Sequence, residues 1–136
     1  MAAVIDASFA ATLFLPDESS ARSSEHFASA ASTGIIAPAL WQVEVTNIVV
    51  MAHRRKRINA ALVGQIFEII DRLPVMLESA LTLDQRRTTA NIALAHGLTV
   101  YDAVYLELAM RRSFDLMTLD SALTKAARAV GVHVVA

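Results

Sequence analysis

Five short apolar runs alternate with longer segments of helical period, and that alternation narrows the folds open to this chain more than any other feature. The runs cover residues 2–5, 35–37, 75–77, 116–118 and 133–135. Each is too short for a helix, and its neighbours favour turns or helix starts. Between them the sequence predicts helices over 7–15, stopped by Pro16; 21–31, capped by Ser20 and broken by Gly34; and 39–54, opened by Pro38. Further helices are expected over 60–73, capped by Asn59 and ended by Pro74; 83–96, capped by Thr82 and terminated by Gly97; 100–112, capped by Thr99; and 121–129, opened by Asp120 or Ser121. Apolar strands separated by helices imply a parallel sheet covered on both faces.

The chain has 136 residues, a length that suits one domain with a real core, and no repeat or linker divides it. At 55% hydrophobic residues it is rich for a small domain, so some apolar surface is expected to meet a partner or a second copy. A net charge of −1 gives no overall attraction for nucleic acid, so any such binding must come from a local patch. The absence of cysteine excludes disulfides and thiolate metal sites and fits a reducing cytoplasm. The amino terminus has no basic segment followed by an apolar run, so no secretory signal is expected. The most apolar long stretch, 35–52, contains Gln42, Glu44, Thr46 and Asn47 and is not a membrane span.

Within this frame four carboxylates stand where a strand end or an apolar helix face ordinarily carries none. They are Asp6 in Val-Ile-Asp-Ala-Ser, Glu44 in Trp-Gln-Val-Glu-Val-Thr-Asn, Asp102 in Leu-Thr-Val-Tyr-Asp-Ala and Asp120 in Leu-Met-Thr-Leu-Asp. Asp6 and Asp120 follow predicted strands, Glu44 lies on the helix after the second strand, and Asp102 lies in the first turn of another helix. All four can therefore reach the carboxyl end of the sheet, where such folds bind ligands. Two carboxylates 4 Å apart repel by about 4 kcal/mol at an effective dielectric near 20. Gathering several calls for cations, and a divalent metal is the usual one.

Each of the four has a purely structural alternative. Asp6 and Asp120 suit helix N-caps, and Asp102 suits the third position of a capping box begun by Thr99. Glu44 is expected to share an apolar stripe with Leu40, Val43, Ile48 and Met51, where its alternative is a core glutamate paired with arginine. Asn47, one turn further on, can contact Glu44 or a substrate. Ser8 and Thr118 are candidates to support a metal ligand, or a first-turn serine and a strand threonine. The acids Glu68, Asp71, Glu78, Asp84, Glu107 and Asp115 are expected on solvated faces or helix ends, and no histidine pair has zinc-ligand spacing. The run His53-Arg54-Arg55-Lys56-Arg57 reads either as a solvated helix end or as a phosphate-contacting patch, which Arg86, Arg87, Arg111 and Arg112 would extend.

The order and context of the acids resemble the PIN-domain ribonucleases, and within them the VapC-type toxins of prokaryotic toxin–antitoxin pairs. The resemblance covers essentially the whole chain, 1–136, as a single PIN domain. Val-Ile-Asp6-Ala-Ser8 is similar to the family's opening strand with its first metal-site aspartate. Pro38-Ala-Leu40 through Glu44-Val-Thr-Asn47 resembles its second acid, Leu98-Thr-Val-Tyr-Asp102-Ala-Val-Tyr-Leu its third motif, and Thr118-Leu-Asp120-Ser-Ala-Leu its fourth. No single motif is specific, but four in this order at this length are. The resemblance implies a three-layer α/β/α fold around a central, mostly parallel five-stranded sheet. It implies Mg²⁺, or Mn²⁺ in its place, at the acids, and endonucleolytic cleavage of RNA such as tRNA or rRNA. It further implies a homodimer and a separate antitoxin chain, joined in a hetero-oligomer; no membrane partner is expected, since the sequence offers no span.

The chemistry expected is metal-assisted phosphodiester hydrolysis, with Asp6 and Asp102 as main ligands, Glu44 and Asp120 completing the cluster, and no protein nucleophile. Two rivals remain. An aspartyl phosphotransferase would use Asp6 as nucleophile, but its haloacid-dehalogenase-like pattern wants a second aspartate where this chain has Ser8. A non-catalytic PIN-like module that binds RNA or protein would tolerate loss of the acids, yet all four are present.

Overall fold

The computed structural model describes residues 2–136. Five strands, β1 (Ala3–Ile5), β2 (Ile35–Ala37), β3 (Val75–Leu77), β4 (Asp115–Met117) and β5 (Val134–Val135), form one sheet in the order β3-β2-β1-β4-β5, every pair parallel. β1 is central and pairs Val4 with both Ile36 and Leu116. β1, β2 and the apolar half of β4 are buried, as strands covered on two faces must be, whereas Met76 on the edge strand β3 is 70% exposed.

Seven helices surround the sheet: α1 (Ala7–Phe14), α2 (Ala21–Ala31), α3 (Leu40–Arg54), α4 (Ala60–Arg72), α5 (Leu83–His96), α6 (Val100–Arg112) and α7 (Ser121–Ala129). The caps expected from sequence are in place. Ser20, Asn59 and Thr99 accept backbone N–H groups of their first turns, Thr82 closes a full capping box with Gln85, and Gly97 ends α5 at φ 64. Boundaries differ from expectation by a residue, and beyond the stop at Pro16 the residues Pro16–Glu18 form a short 3-10 helix. α1, α3 and α4 pack together, and α5 and α7 pack on α6. Right-handed crossovers place these two groups on opposite faces of the sheet, which gives the α/β/α layering.

The chain runs outward from β1 through β2 to β3, then crosses back to β4 and β5 on the other side. The strand order therefore reverses between β1 and β4. In open α/β sheets ligands bind in the crevice outside the carboxyl ends of the strands at such a switch point. Below it the core is closed by Ile5, Phe9, Leu106, Leu116, Met117 and Leu123, each essentially without solvent contact. Burial of each such side chain stabilises the fold by about 1.5–3 kcal/mol.

One expected stripe is corrected. The buried face of α3 is Trp41, Val45, Val49 and Ala52, while Val43 is 67% exposed. Both stripes have helical spacing, and the one carrying the indole has more apolar area to bury. Glu44 sits on the flank of this face, half-buried rather than within it. Among the described residues no helix is long and apolar enough to cross a membrane.

Candidate active site

Asp6 ends β1 and caps α1, its Oδ1 accepting from Phe9 N at 2.9 Å. It does so while only 5% exposed. Thr118 Oγ1 donates to Asp6 Oδ2 and accepts from Asp120 N at 3.0 Å. Ser8 Oγ lies 2.8 and 2.9 Å from the two Asp6 oxygens and accepts from Leu119 N at 2.9 Å. Two hydroxyls thus join the β1–α1 and β4–α7 turns across the crevice. Asp120 caps α7 through Leu123 N at 2.8 Å. The structural roles foreseen for Asp6 and Asp120 are real, and they fix these two carboxylates at the switch point.

Asp102 fills its structural alternative only in part. Thr99 Oγ1 accepts from Asp102 N at 3.2 Å, but the reciprocal bond that Gln85 makes in α5 is not part of this cap. Burial and the charge of Asp120 raise the Asp102 pKa above the usual range. Glu44 is raised by burial, and by Asp102, against a lowering hydrogen bond from Tyr105. Asp6 is pushed up to about 6, chiefly by desolvation, with Asp120 adding to it and its hydrogen bonds opposing. The electrostatics link Asp6 to Asp120, Asp120 to Asp102 and Asp102 to Glu44.

Tyr105 is the member of this group that sequence leaves in the core. It is 1% exposed on α6, its hydroxyl donates to Glu44 Oε1, and its own ionisation is suppressed by burial and by the charges of Glu44, Asp6 and Asp102. It therefore holds Glu44 at the edge of the crevice. Tyr105→Phe is expected to weaken Mn²⁺ binding about tenfold, as removal of a residue that orients a metal ligand does. Calorimetric titration beside a thermal melt checks this. Unchanged affinity would remove Tyr105 from the site.

Other expected members lie elsewhere. Asn47 is exposed and makes no hydrogen bond to Glu44 among the described residues. Arg54, Arg55, Lys56 and Arg57 lie at the far end of α3, ten residues and about 15 Å along the axis from Glu44. Arg57 is bound by Asp17 at 2.7 Å and by Glu18 at 2.6 Å, so it is committed to a surface ion pair. Arg111 and Arg112 do not extend the basic run, because both pair with Glu78, and Arg111 also pairs with Glu107 at 2.9 Å. Glu107, expected on a solvated face, is 3% exposed.

None of Asp6, Glu44, Asp102 or Asp120 forms an ion pair with Lys, Arg or His among the described residues. Nor, among the described residues, do any three His or acidic side chains converge as a ready-made ligand cage. What the crevice holds is an oxygen donor set whose charge has no protein cation beside it. That chemistry fits a hard divalent ion, which takes one or two carboxylates and keeps several waters.

A parallel α/β sheet with Asp6 and Asp120 held in adjoining turns at its switch point defines a class of ligand-binding or hydrolytic domain, and known proteins narrow it. Residues 3–129 match the PIN domain family. Ribonuclease VapC3 of Pyrobaculum aerophilum is 30% identical over 129 residues, covering 92% of this chain and 94% of that protein. The fold is shared with PAE2754 of Pyrobaculum aerophilum (TM-score 0.70, 20% identity, 98% of this chain and 89% of that one). It is shared too with FitAcB of Neisseria gonorrhoeae (TM-score 0.70, 15% identity, 98% and 96%). A toxin–antitoxin complex from Klebsiella pneumoniae has a TM-score of 0.64 at 14% identity, covering 99% and 97%. The chain belongs to the PIN-domain family, and within it to the VapC-type ribonucleases.

Proposed function

We propose that this chain is a divalent-metal-dependent endoribonuclease, the toxin of a toxin–antitoxin pair, acting on a cytoplasmic RNA such as tRNA or rRNA. The observation that carries the reading is that Asp6, Asp120, Asp102 and Glu44 act on one another in series as like charges, with no ion-pair partner among the described residues. A fold gains nothing in stability from burying Asp6 against its own desolvation. An ion held by Asp6 and Asp102, with Glu44 and Asp120 beside them, accounts for that cost. When bound, Mg²⁺ or Mn²⁺ supplies positive charge against the phosphate and makes water a better nucleophile at neutral pH.

The chain's own residues do the positioning. Ser8 and Thr118 orient the Asp6 carboxylate and hold Asp120 next to it. Tyr105 fixes Glu44, and the Thr99 cap fixes the first turn that carries Asp102. At neutral pH Asp6 is ionised and able to receive a cation; below about 6 it protonates. Among the described residues no lysine or arginine pairs with these carboxylates, so a bound cation and water would not compete with such a pair. A homodimer and an antitoxin in a separate chain belong to the same reading, supported by family membership and by the exposed Tyr101 and Leu119, each next in sequence to a site acid.

The test is cleavage of total cellular RNA by purified protein in Mg²⁺, in Mn²⁺ and in EDTA. Discrete fragments that vanish with EDTA are expected, and mapping their ends names the target. If protein that is folded and free of any partner cuts nothing with either ion, the non-catalytic binding module replaces this reading.

A further inference from the structure

We propose that the turn joining α3 to α4 is a second contact for the RNA backbone, remote from the carboxylates and connected to them along one exposed face of α3. The proposal rests on the ribonuclease reading and adds to it how the substrate is held. Four carboxylates with no protein cation beside them repel a phosphate chain, and the molecule has a net charge of −1. Attraction for RNA must therefore be supplied locally, outside the crevice.

The α3–α4 turn supplies it. Arg54, Arg55 and Lys56 are exposed, and none forms an ion pair among the described residues. Arg57, next in line, is held by Asp17 and Glu18 and anchors the turn to the short 3-10 helix that follows α1. Arg54 and Lys56 line an open groove with His53, Asn59 and Leu62.

Lys56 carries a backbone cost that points the same way. It adopts φ 60, the left-handed conformation, as α3 closes with Lys56 N bonded to His53 O and Arg57 N to Ala52 O. This is the place glycine ordinarily takes after a helix, as Gly97 does after α5 at φ 64. A cation thus occupies a position whose backbone favours glycine.

A route links the two ends. Val43, Asn47, Val50 and Arg54 recur at helical spacing and are all exposed, forming one strip that starts beside Glu44 and ends at the basic turn. Gln42 and Thr46 flank it, and no acid interrupts it. An RNA segment bound at the turn can lie along about 15 Å of helix without meeting a like charge before it reaches the crevice.

The test measures binding of fluorescent bulk tRNA by the full chain carrying Asp6→Asn, in EDTA, as a function of salt. Adding Arg54→Gln, Arg55→Gln and Lys56→Gln is expected to weaken binding at least tenfold near 0.1 M salt. It should also flatten the log K against log salt slope by about 2 or more. Lys56→Gly alone is expected to weaken binding two- to threefold without lowering the melting temperature, so loss of fold is distinguished from loss of charge. Unchanged affinity and slope in the folded triple variant would overturn the proposal and leave the turn to a protein partner or to solvent. If the native chain cuts no RNA but the triple variant still loses binding, the anchor stands and the nuclease reading falls.

Discussion

Asp6→Asn is expected to abolish metal-dependent cleavage and, in EDTA at pH 7.5, to melt higher than the native chain. The two effects share one cause. Burial raises the Asp6 pKa from its ordinary 3.8 to about 6. The folded state then keeps its proton at a pH where the unfolded chain has lost it. Stability falls as pH rises through that window, and the full deficit is present above about 6. At 1.36 kcal/mol per pH unit, a difference of 2 units costs about 3 kcal/mol.

Asparagine removes that cost and keeps the cap, because its Oδ1 still accepts from Phe9 N. It returns about 1 kcal/mol, since the Thr118 hydroxyl that donates to Oδ2 must turn away from an amide. A net gain of about 1–2 kcal/mol corresponds to a rise of roughly 5 °C for a chain of this size. The gain should vanish near pH 4, where native Asp6 is itself protonated. Mn²⁺ should raise the native melting point and leave the variant's unchanged, and native Mn²⁺ binding should fall as pH drops below 6. A variant that still cuts RNA with added metal would sink the assignment of Asp6. One that melts lower at pH 7.5 would show that its hydrogen bonds outweigh its desolvation.

The strand–helix order is legible in the sequence because six of the seven helices open at a residue whose side chain accepts a first-turn N–H, α3 being the exception. Asp6 closes β1 and caps α1, Asp120 caps α7, and Ser20, Asn59, Thr82 and Thr99 each stand one residue before a helix. Local chemistry is enough to place these. It is not enough for α3, where two apolar stripes interleave and only Trp41, seated in the core, selects between them. Tyr105 escapes for a different reason. A tyrosine amid Ala, Val and Leu on α6 looks like packing, and its partner Glu44 is 61 residues away. The basic residues show the limit in both directions. Arg54 and Arg111 are alike in one dimension, at helix ends rich in arginine, yet only the fold brings Glu78 and Glu107 to Arg111 and leaves Arg54 without an ion pair among the described residues.

Arg111→Ala is expected to cost about 3 kcal/mol and to leave RNA affinity where it was. Glu107 is 3% exposed, and its carboxylate is met by Arg111 Nε at 2.9 Å and Nη2 at 3.4 Å. Arg111 also lies 3.7 Å from Glu78, which Arg112 binds in turn, so the network ties the segment after β3 to α6. It borders a cavity of about 140 Å³ lined by Leu40, Leu81, Val104 and Leu108, where water is a poor substitute for a guanidinium. Breaking a buried pair by removing one partner costs about 3–5 kcal/mol, because the remaining charge is left uncompensated. The low end applies because Arg111 itself reaches solvent. The melting temperature should fall by roughly 10 °C. Replacing both partners with apolar residues, Glu107→Leu with Arg111→Met, should recover most of the loss, since no charge is then buried alone. Arg54→Ala, by contrast, should shift stability by less than about 0.5 kcal/mol. If Arg111→Ala melts like the native chain and instead weakens tRNA binding as the 54–56 variants do, the arginines form one RNA-facing surface and the Glu107 pair contributes nothing to the fold.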